Sequence, residues 1–143
     1  MKAWLLGITG VTLGVLVGGF LNIAIIGLGP TLFPLPEGID PNDANSLKAN
    51  MERMGFENFI APWLAHATNA FVGGLIAALI VTSHRMRFAL GMAAFVLLGG
   101  IAAAFIIPAP ITFLIADIGF AYLPMGWLAS RLALALRPEP SPG

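Results

Sequence analysis

The sequence predicts an all-α integral membrane protein with four transmembrane helices and a short amphipathic helix in its outer loop. Apolar residues make up 58% of the 143 residues and charged residues 10%. The mean hydropathy of +0.90 lies far outside the range of soluble globular proteins. Four apolar stretches, about 4–29, 58–82, 88–107 and 111–130, each reach the roughly 20 residues that a helix needs to cross a bilayer. We expect one domain over 1–137 and a Pro-rich tail over 138–143.

The first stretch, 4–29, is predicted to be a retained transmembrane helix. It is too long for the apolar region of a secretion signal, and no small-x-small cleavage site follows it. Its glycines Gly10, Gly14 and Gly18 recur every fourth residue, and Asn22 continues the same face. Small residues at this interval let helices approach closely in lipid. We expect packing inside the four-helix unit, with contact to another protein as the alternative.

The segment 30–57 is predicted to be an outer loop that carries a surface helix over about 40–54. Asp40 is the expected N-cap, and Pro41 suits the first helical position. Apolar residues then recur at helical spacing: Ala44, Leu47, Met51 and Met54. An amphipathic helix of this kind lies on the membrane surface or covers the bundle. Covering is the favoured reading; a lid or a docking surface for a partner is the alternative.

A polar layer is predicted inside the membrane, beneath the outer helix ends. Asp117 is the only acidic residue within a spanning stretch, and His66 and Asn22 lie on two other helices. At 1.5 Å rise per residue all three come out roughly 10–12 Å below the outer ends. Asn69 shares the His66 face one turn deeper, and Tyr122 follows Asp117 by about a turn and a half. Whether these side chains converge depends on helix rotation.

Three roles are open for this polar layer. The first is structural, because hydrogen bonds between Asp117 and His66 would help to set helix register. The second is a proton or cation path, since ionisable residues inside membranes often mark such paths. The third is ligation of a haem or chlorin by His66. A bis-His site within one chain is excluded, since His84 lies at the opposite end of the bundle.

Small residues also recur along the second stretch, at Ala70, Gly74 and Ala78. This face follows His66 at the same four-residue interval and predicts another close helix contact. In the fourth stretch Pro124 is expected to kink the helix, because proline removes one backbone hydrogen bond. We favour a kink that fits the curvature of the bundle over one that opens a polar cavity.

The basic residues predict the orientation. Five of them fall on one side if the helices alternate: Lys2, Arg85, Arg87, Arg131 and Arg137. The other side carries Lys48 and Arg53 alone. The positive-inside rule therefore places both termini in the cytoplasm and the 30–57 loop outside. Trp63 would lie at the outer interface, where aromatic residues concentrate.

Several function classes lack support in the sequence. The net charge is zero, which gives no basis for nucleic-acid binding, and without cysteine there is neither a disulfide nor a thiolate metal site. No phosphate-binding glycine loop, HExxH pair or nucleophile elbow is present. We therefore predict a non-catalytic protein with no metal site and no resident cofactor.

Short motifs are spread over nearly the whole chain: Pro36–Asp40, Leu64–Ala67, Leu98–Ile101, Pro108–Pro110 and Asp117 with Ala121–Met125. In these motifs the chain resembles a group of small four-helix bacterial membrane proteins with no established activity. The resemblance implies a location in the bacterial inner membrane and the outer-loop topology. It implies no catalytic residue.

Size, exposed small-residue faces and the lack of a catalytic constellation favour an accessory subunit of a larger bacterial membrane complex. An electron-transfer or light-harvesting assembly would suit such a subunit. The first alternative is a small proton- or cation-coupled transporter or channel that uses Asp117 and His66. The second is a redox subunit that ligates haem or pigment through His66. The expected partners are membrane lipid and either other membrane subunits or a second copy of the chain.

Overall fold

The computed structural model describes residues 3–139, which are helical and contain no strand. Six α-helices follow one another within these residues: α1 Ala3–Leu32, α2 Ala44–Ala49, α3 Ile60–Ile80, α4 Arg85–Ile106, α5 Ile111–Phe120 and α6 Leu123–Leu136. Short 3-10 turns lie at Met51–Arg53 and Phe56–Phe59. Lys2 and the part of the predicted Pro-rich tail beyond 139 lie outside the described residues.

Four helical segments are long and apolar enough to cross a membrane: Ala3–Leu32, Phe56–Ile80, Arg85–Ile106 and Ile111–Leu136. The all-α class and the four long apolar helices are therefore confirmed. We call the end of the bundle that carries residues 33–59 and 107–110 the loop end. The opposite end, with residues 81–84 and both ends of the described chain, is the turn end.

The first long helix extends beyond its predicted bounds of 4–29 at both ends, whereas the third begins before its predicted bounds of 88–107 and ends just inside them. The first, α1, continues through Pro30 to Leu32, because a proline in the last turn removes only one backbone bond. The amide of Phe33 donates to the Gly29 carbonyl at 2.8 Å and closes that turn. The third, α4, begins at Arg85 and ends at Ile106.

The second long segment, Phe56–Ile80, begins and ends slightly earlier than its predicted bounds of 58–82. Its regular part, α3, covers Ile60–Ile80, and the 3-10 turn Phe56–Phe59 leads into it. Helix ends commonly tighten into 3-10 geometry, which satisfies some of the terminal backbone groups. The 3-10 turn and α3 together make the 25-residue segment that can span a membrane.

The surface helix is shorter than the predicted 40–54. It covers Ala44–Ala49, and its N-cap is Asp43 rather than Asp40. The Asp43 carboxyl group accepts a hydrogen bond from the Asn45 amide at 2.9 Å. Asp40 instead forms its own local turn, so the later of two competing aspartates starts the helix.

The fourth long segment is interrupted, where the sequence predicted one helix over 111–130 with a kink. The helix α5 ends at Phe120, and α6 begins at Leu123 and runs to Leu136. Pro124 lies in the first turn of α6 and has no N–H to donate to a preceding carbonyl. The two residues of the interruption are both fully buried, and Tyr122 is one of them.

The glycine face of α1 packs against α3 in an antiparallel register. Gly10 meets the backbone of Ala77, Gly14 meets Gly73 and Gly18 meets Asn69. A Cβ atom added at Gly14 would lie 2.6 Å from the Gly73 carbonyl oxygen. The two backbones are thus in direct contact, as small residues at this spacing permit.

The small-residue face predicted on α3, with Ala70, Gly74 and Ala78, packs against α4 and α6. Gly74 lies against the Ala89 carbonyl, with 3.2 Å left for a Cβ atom. Ala70 belongs to the buried cluster that contains Tyr122, and Ala78 to a cluster with Ala89 and Ala133. The faces of α3 that meet α1 and α4/α6 are therefore adjacent, and α3 is the central helix of the bundle.

Basic side chains hold the turn end. Arg85 is buried, and its Nη1 donates to the Ala78 carbonyl at 2.6 Å and to that of Leu79 at 3.2 Å. Arg137 donates to the same Leu79 carbonyl at 3.1 Å. These carbonyls end α3 and have no partner within the helix. Two of the residues used to predict orientation therefore cap α3 as well.

Candidate functional site

His66 and Asp117 form a hydrogen-bonded pair between α3 and α5. His66 Nδ1 lies 2.8 Å from Asp117 Oδ1. Asp117 is buried, with 4% of its side chain exposed, whereas the His66 side chain is 19% exposed. The two residues are 51 positions apart and lie at the same depth, measured from the loop end.

Tyr122 completes the cluster, and we call the three residues the polar triad. Its hydroxyl group donates to Asp117 Oδ2 at 2.9 Å, so each carboxyl oxygen accepts one bond. The Tyr122 ring also stacks on the His66 ring, with centroids 5.6 Å apart and an angle of 26°. The interruption between α5 and α6 makes this possible, because it turns Tyr122 inward.

Gly100 on α4 makes room for the Tyr122 hydroxyl group. A Cβ atom at this position would overlap that oxygen, and it would lie 2.6 Å from the ring carbon Cζ. In the sequence Gly100 is only one of a pair of glycines in a spanning helix. A Cβ atom at the neighbouring Gly99 would meet open space. The structure therefore shows that Gly100, and not Gly99, is needed for close packing.

Two predicted members of the polar layer, Asn22 and Asn69, lie apart from the triad. In the described chain no hydrogen bond joins either of them to His66, Asp117 or Tyr122. The Asn69 Oδ1 atom is buried beside Gly18 on the α1 side of α3 and has no partner among the described residues. Asn22 is partly buried and continues the glycine face toward α3.

A cavity of about 250 Å³ lies at the loop end, and we call it the inner cavity. His66 and Asp117 line its deep end, together with Gly100. Residues 41–54, which we call the roof segment, lie over the cavity and leave it partly open to the outside. Four residues of this segment line the cavity: Pro41, Leu47, Met51 and Met54. The apolar residues of the roof segment therefore cover the bundle and form one wall of this space.

Asn58 attaches the loop to the start of α3. Its Nδ2 donates to the carbonyls of Phe33 and Pro34 at 3.3 and 3.1 Å, and its Oδ1 accepts from the Gly55 amide at 3.0 Å. Asn58 is 7% exposed, so these are protected bonds. No role was predicted for this residue from the sequence, although Gly55-x-x-Asn58 has the spacing of a helix N-terminal cap.

The geometry determines how His66 faces the inner cavity. A hydrogen bond from Nδ1–H to a carboxyl group selects the tautomer and holds the ring. Nε2 has no partner among the described residues, and in the neutral ring it is a hydrogen-bond acceptor. Asp117 presents little surface, and both its oxygens are already bonded. Since His66 lines the cavity, Nε2 is the polar atom of the pair that is left to bond a molecule there.

Below the triad the bundle is filled by small side chains. Ala70, Ala93 and Ala121 are fully buried beside Tyr122, and Ala77, Ala78 and Ala89 continue the packing toward the turn end. Packing of this kind leaves little room for water. The polar triad is therefore accessible from the loop end.

Residues 3–139 contain no group of three or more His, Cys, Asp or Glu side chains placed to hold a metal ion. Comparison of the chain with protein-family models, with curated proteins and with solved structures finds no match. The site itself therefore carries the functional argument.

We expect Gly100→Ala to displace Tyr122 and break its bond to Asp117. The cost is about 1 kcal/mol, the usual net value of one hydrogen bond. Tyr122 is the only tyrosine in the chain, so NMR of ¹³C-labelled tyrosine reports on it directly. Gly99→Ala is the matched control and should leave the tyrosine signals in place. Equal spectra for the two variants would contradict the packing described here.

Proposed function

We propose that this chain is a multi-pass protein of the bacterial inner membrane, with both termini in the cytoplasm and the loop end outside. Four apolar helices of sufficient length support insertion. The excess of Lys and Arg on the turn-end side supports this orientation. In this arrangement the inner cavity lies within the outer leaflet, just beneath the roof segment.

Its function, we infer, is to bind a small and mainly apolar molecule of the membrane in the inner cavity. The observation that carries this is the position of the hydrogen-bonded His66–Asp117 pair in the lining of a mainly apolar, partly open cavity. Ligand sites are typically apolar clefts with a few fixed polar groups that set orientation.

The roles favoured by sequence alone stay predictions. An accessory subunit would use the exposed apolar face of α1, where Leu16, Phe20 and Ile23 are each at least 60% exposed; lipid covers such a face equally well. A coupled transporter would use the same His66–Asp117 pair. Proton flux into liposomes that is unchanged in Asp117→Asn would remove that alternative.

Ligation of haem or pigment through His66 has one supporting feature. Histidines that bind metals commonly donate their other ring N–H to a carboxylate, as His66 does to Asp117. An absorbance spectrum of the gently extracted protein tests this role. A colourless preparation would exclude it, and a visible band lost in His66→Gln would support it.

We expect the purified protein to carry a bound small molecule that is lost in His66→Gln. Native mass spectrometry on protein extracted gently from its own membrane would measure the bound fraction. We expect about a tenfold drop in affinity, the effect of losing one hydrogen bond to the ligand. His84→Gln is the control, since His84 lies at the turn end and bonds Ser83.

The outcome that contradicts this function is equally direct. If native mass spectrometry detects only the ligand-free mass of the wild-type protein, under conditions that retain tightly bound lipid, the inner cavity has no specific ligand. A bound molecule held equally well by wild type and His66→Gln would contradict the role of Nε2. A bound protein partner would instead support the accessory role.

A further inference from the structure

We propose that the ligand of the inner cavity is a neutral amphiphile with a small hydroxyl-bearing head and one long apolar tail. The head bonds His66, and the tail lies in a groove on the outside of the bundle between α3 and α5. This inference rests on the proposed function and adds the chemical class of the ligand and its position.

The groove, which we call the outer groove, lies beside the inner cavity and has a volume of about 590 Å³. Apart from Thr112 its walls are apolar, and they come from α3, from α5 and from the residues just before each helix: Phe56, Ile60, Trp63, Leu64, Pro110 and Ala116. Phe56 is 83% exposed and Leu64 45% exposed, so the groove opens onto the outer surface of the bundle. In the proposed orientation that surface faces lipid chains.

Only side chains separate the outer groove from the inner cavity. Phe59, Phe113 and Met54 line both spaces. The Phe59 and Phe113 rings are tilted by 38° with centroids 5.1 Å apart. Rotation of these rings would join the two spaces without any backbone change, and methionine adapts readily to a changed shape. A molecule can therefore have its head in one space and its tail in the other.

The lining of the inner cavity favours a neutral head. His66 and Asp117 are its titratable groups, and no Lys or Arg of the described chain lines it. An anionic head would find no compensating charge and would lie beside the Asp117 carboxyl group. A cationic head would lose its hydration in an apolar space where both Asp117 oxygens are already bonded.

The size and polarity of the inner cavity define the head further. About 250 Å³ is less than the roughly 300–1,000 Å³ of sites that enclose a whole drug-sized ligand. The space therefore suits a head group alone. His66 Nε2 is an acceptor, so its natural partner is a hydroxyl donor. Polyprenyl alcohols and quinols share this chemistry.

Trp63 provides a direct reporter of the tail. It lines the outer groove, and its Nε1 donates to the Ala116 carbonyl at 3.1 Å, which holds the ring in place. The other two tryptophans, Trp4 and Trp127, lie near the turn end and can be replaced by phenylalanine. The resulting single-tryptophan protein, in phosphatidylcholine nanodiscs, is titrated with a long-chain alcohol brominated along its tail, since bromine quenches nearby tryptophan.

We expect saturable quenching by the brominated alcohol, with about tenfold weaker affinity in His66→Gln and unchanged affinity in His84→Gln. A brominated fatty acid and a brominated alkyltrimethylammonium of equal chain length should quench without saturation. Competition by unlabelled polyprenol or by a quinol shows which of these two compounds displaces the probe. Displacement by either one supports a neutral, hydroxyl-bearing head.

The contradicting outcomes separate this inference from the proposed function. Saturable, His66-dependent quenching by the acid or the ammonium probe overturns the neutral head and leaves the binding function intact. If native mass spectrometry finds a His66-dependent ligand but no probe quenches Trp63 with saturation, the outer groove does not hold its tail. If both measurements fail, the proposed function falls as well.

Discussion

Asp117→Ala is expected to cause the largest loss of stability of any substitution in the polar triad. Its carboxyl group is the acceptor for both His66 and Tyr122, so the change leaves two donors inside the bundle without a partner. Each buried polar group left unpaired costs about 1–3 kcal/mol. Two such groups give about 2–6 kcal/mol. We expect the free energy of unfolding to fall by the lower part of that range, about 2–4 kcal/mol, because bonds between membrane helices average only about 0.6 kcal/mol.

Unfolding of the purified protein in mixed detergent micelles, followed by tryptophan fluorescence, would measure this loss. Asp117→Asn keeps one acceptor oxygen and places an NH₂ group against the other donor, so it should cost about half as much. Asn22→Ala is the control for removing a polar side chain from a spanning helix, with an expected effect within about 0.5 kcal/mol. A loss in Asp117→Ala no greater than in that control would contradict the bonded triad.

Gly14→Ala is expected to separate α1 from α3. Among the described residues of α1 the buried ones are all glycines: Gly7, Gly10, Gly14, Gly18 and Gly29. A Cβ atom at Gly14 meets a backbone carbonyl at 2.6 Å, which no side-chain rotation can relieve. Overpacking of this kind costs about 1–3 kcal/mol or more. The gain of about 1 kcal/mol from alanine's helix propensity does not offset it.

Spin labels would report the separation directly, because the chain has no cysteine of its own. Cysteines placed at the exposed residues Leu16 and Leu64 allow the distance between α1 and α3 to be measured by pulsed EPR. Gly14→Ala should lengthen and broaden that distance. Gly19→Ala, where the added Cβ meets nothing within 4 Å, should leave it unchanged. Identical distance distributions would contradict backbone contact between the two helices.

The axial position of the polar residues could be predicted from the sequence, because helix rise per residue is constant. Counting from the helix ends placed His66 and Asp117 at one depth, and the structure brings them within 2.8 Å. The position around the helix axis could not be predicted. Asn69 is only three residues from His66, yet its Oδ1 atom faces α1 and stays apart from the triad.

Tyr122 shows a second limit of sequence reasoning. It was expected on a kinked but continuous helix, and the kink was expected to serve only the shape of the bundle. The chain instead leaves the helix at Ala121 and Tyr122, and the interruption is what directs the Tyr122 hydroxyl group to Asp117. Pro124 signalled a break, but proline alone does not say which preceding residue turns inward.

The sequence by itself determined the number of long helices, their length and apolar character, and the depth of the ionisable residues. These follow from local quantities: hydrophobicity, residue count and helical rise. The tertiary structure alone decided which small-residue face of α3 meets α1, which residues form the triad, and that the roof segment lines a cavity. The reason is that a helix apolar on all sides carries no signal for the side that faces its neighbours, so packing of the whole bundle sets its rotation.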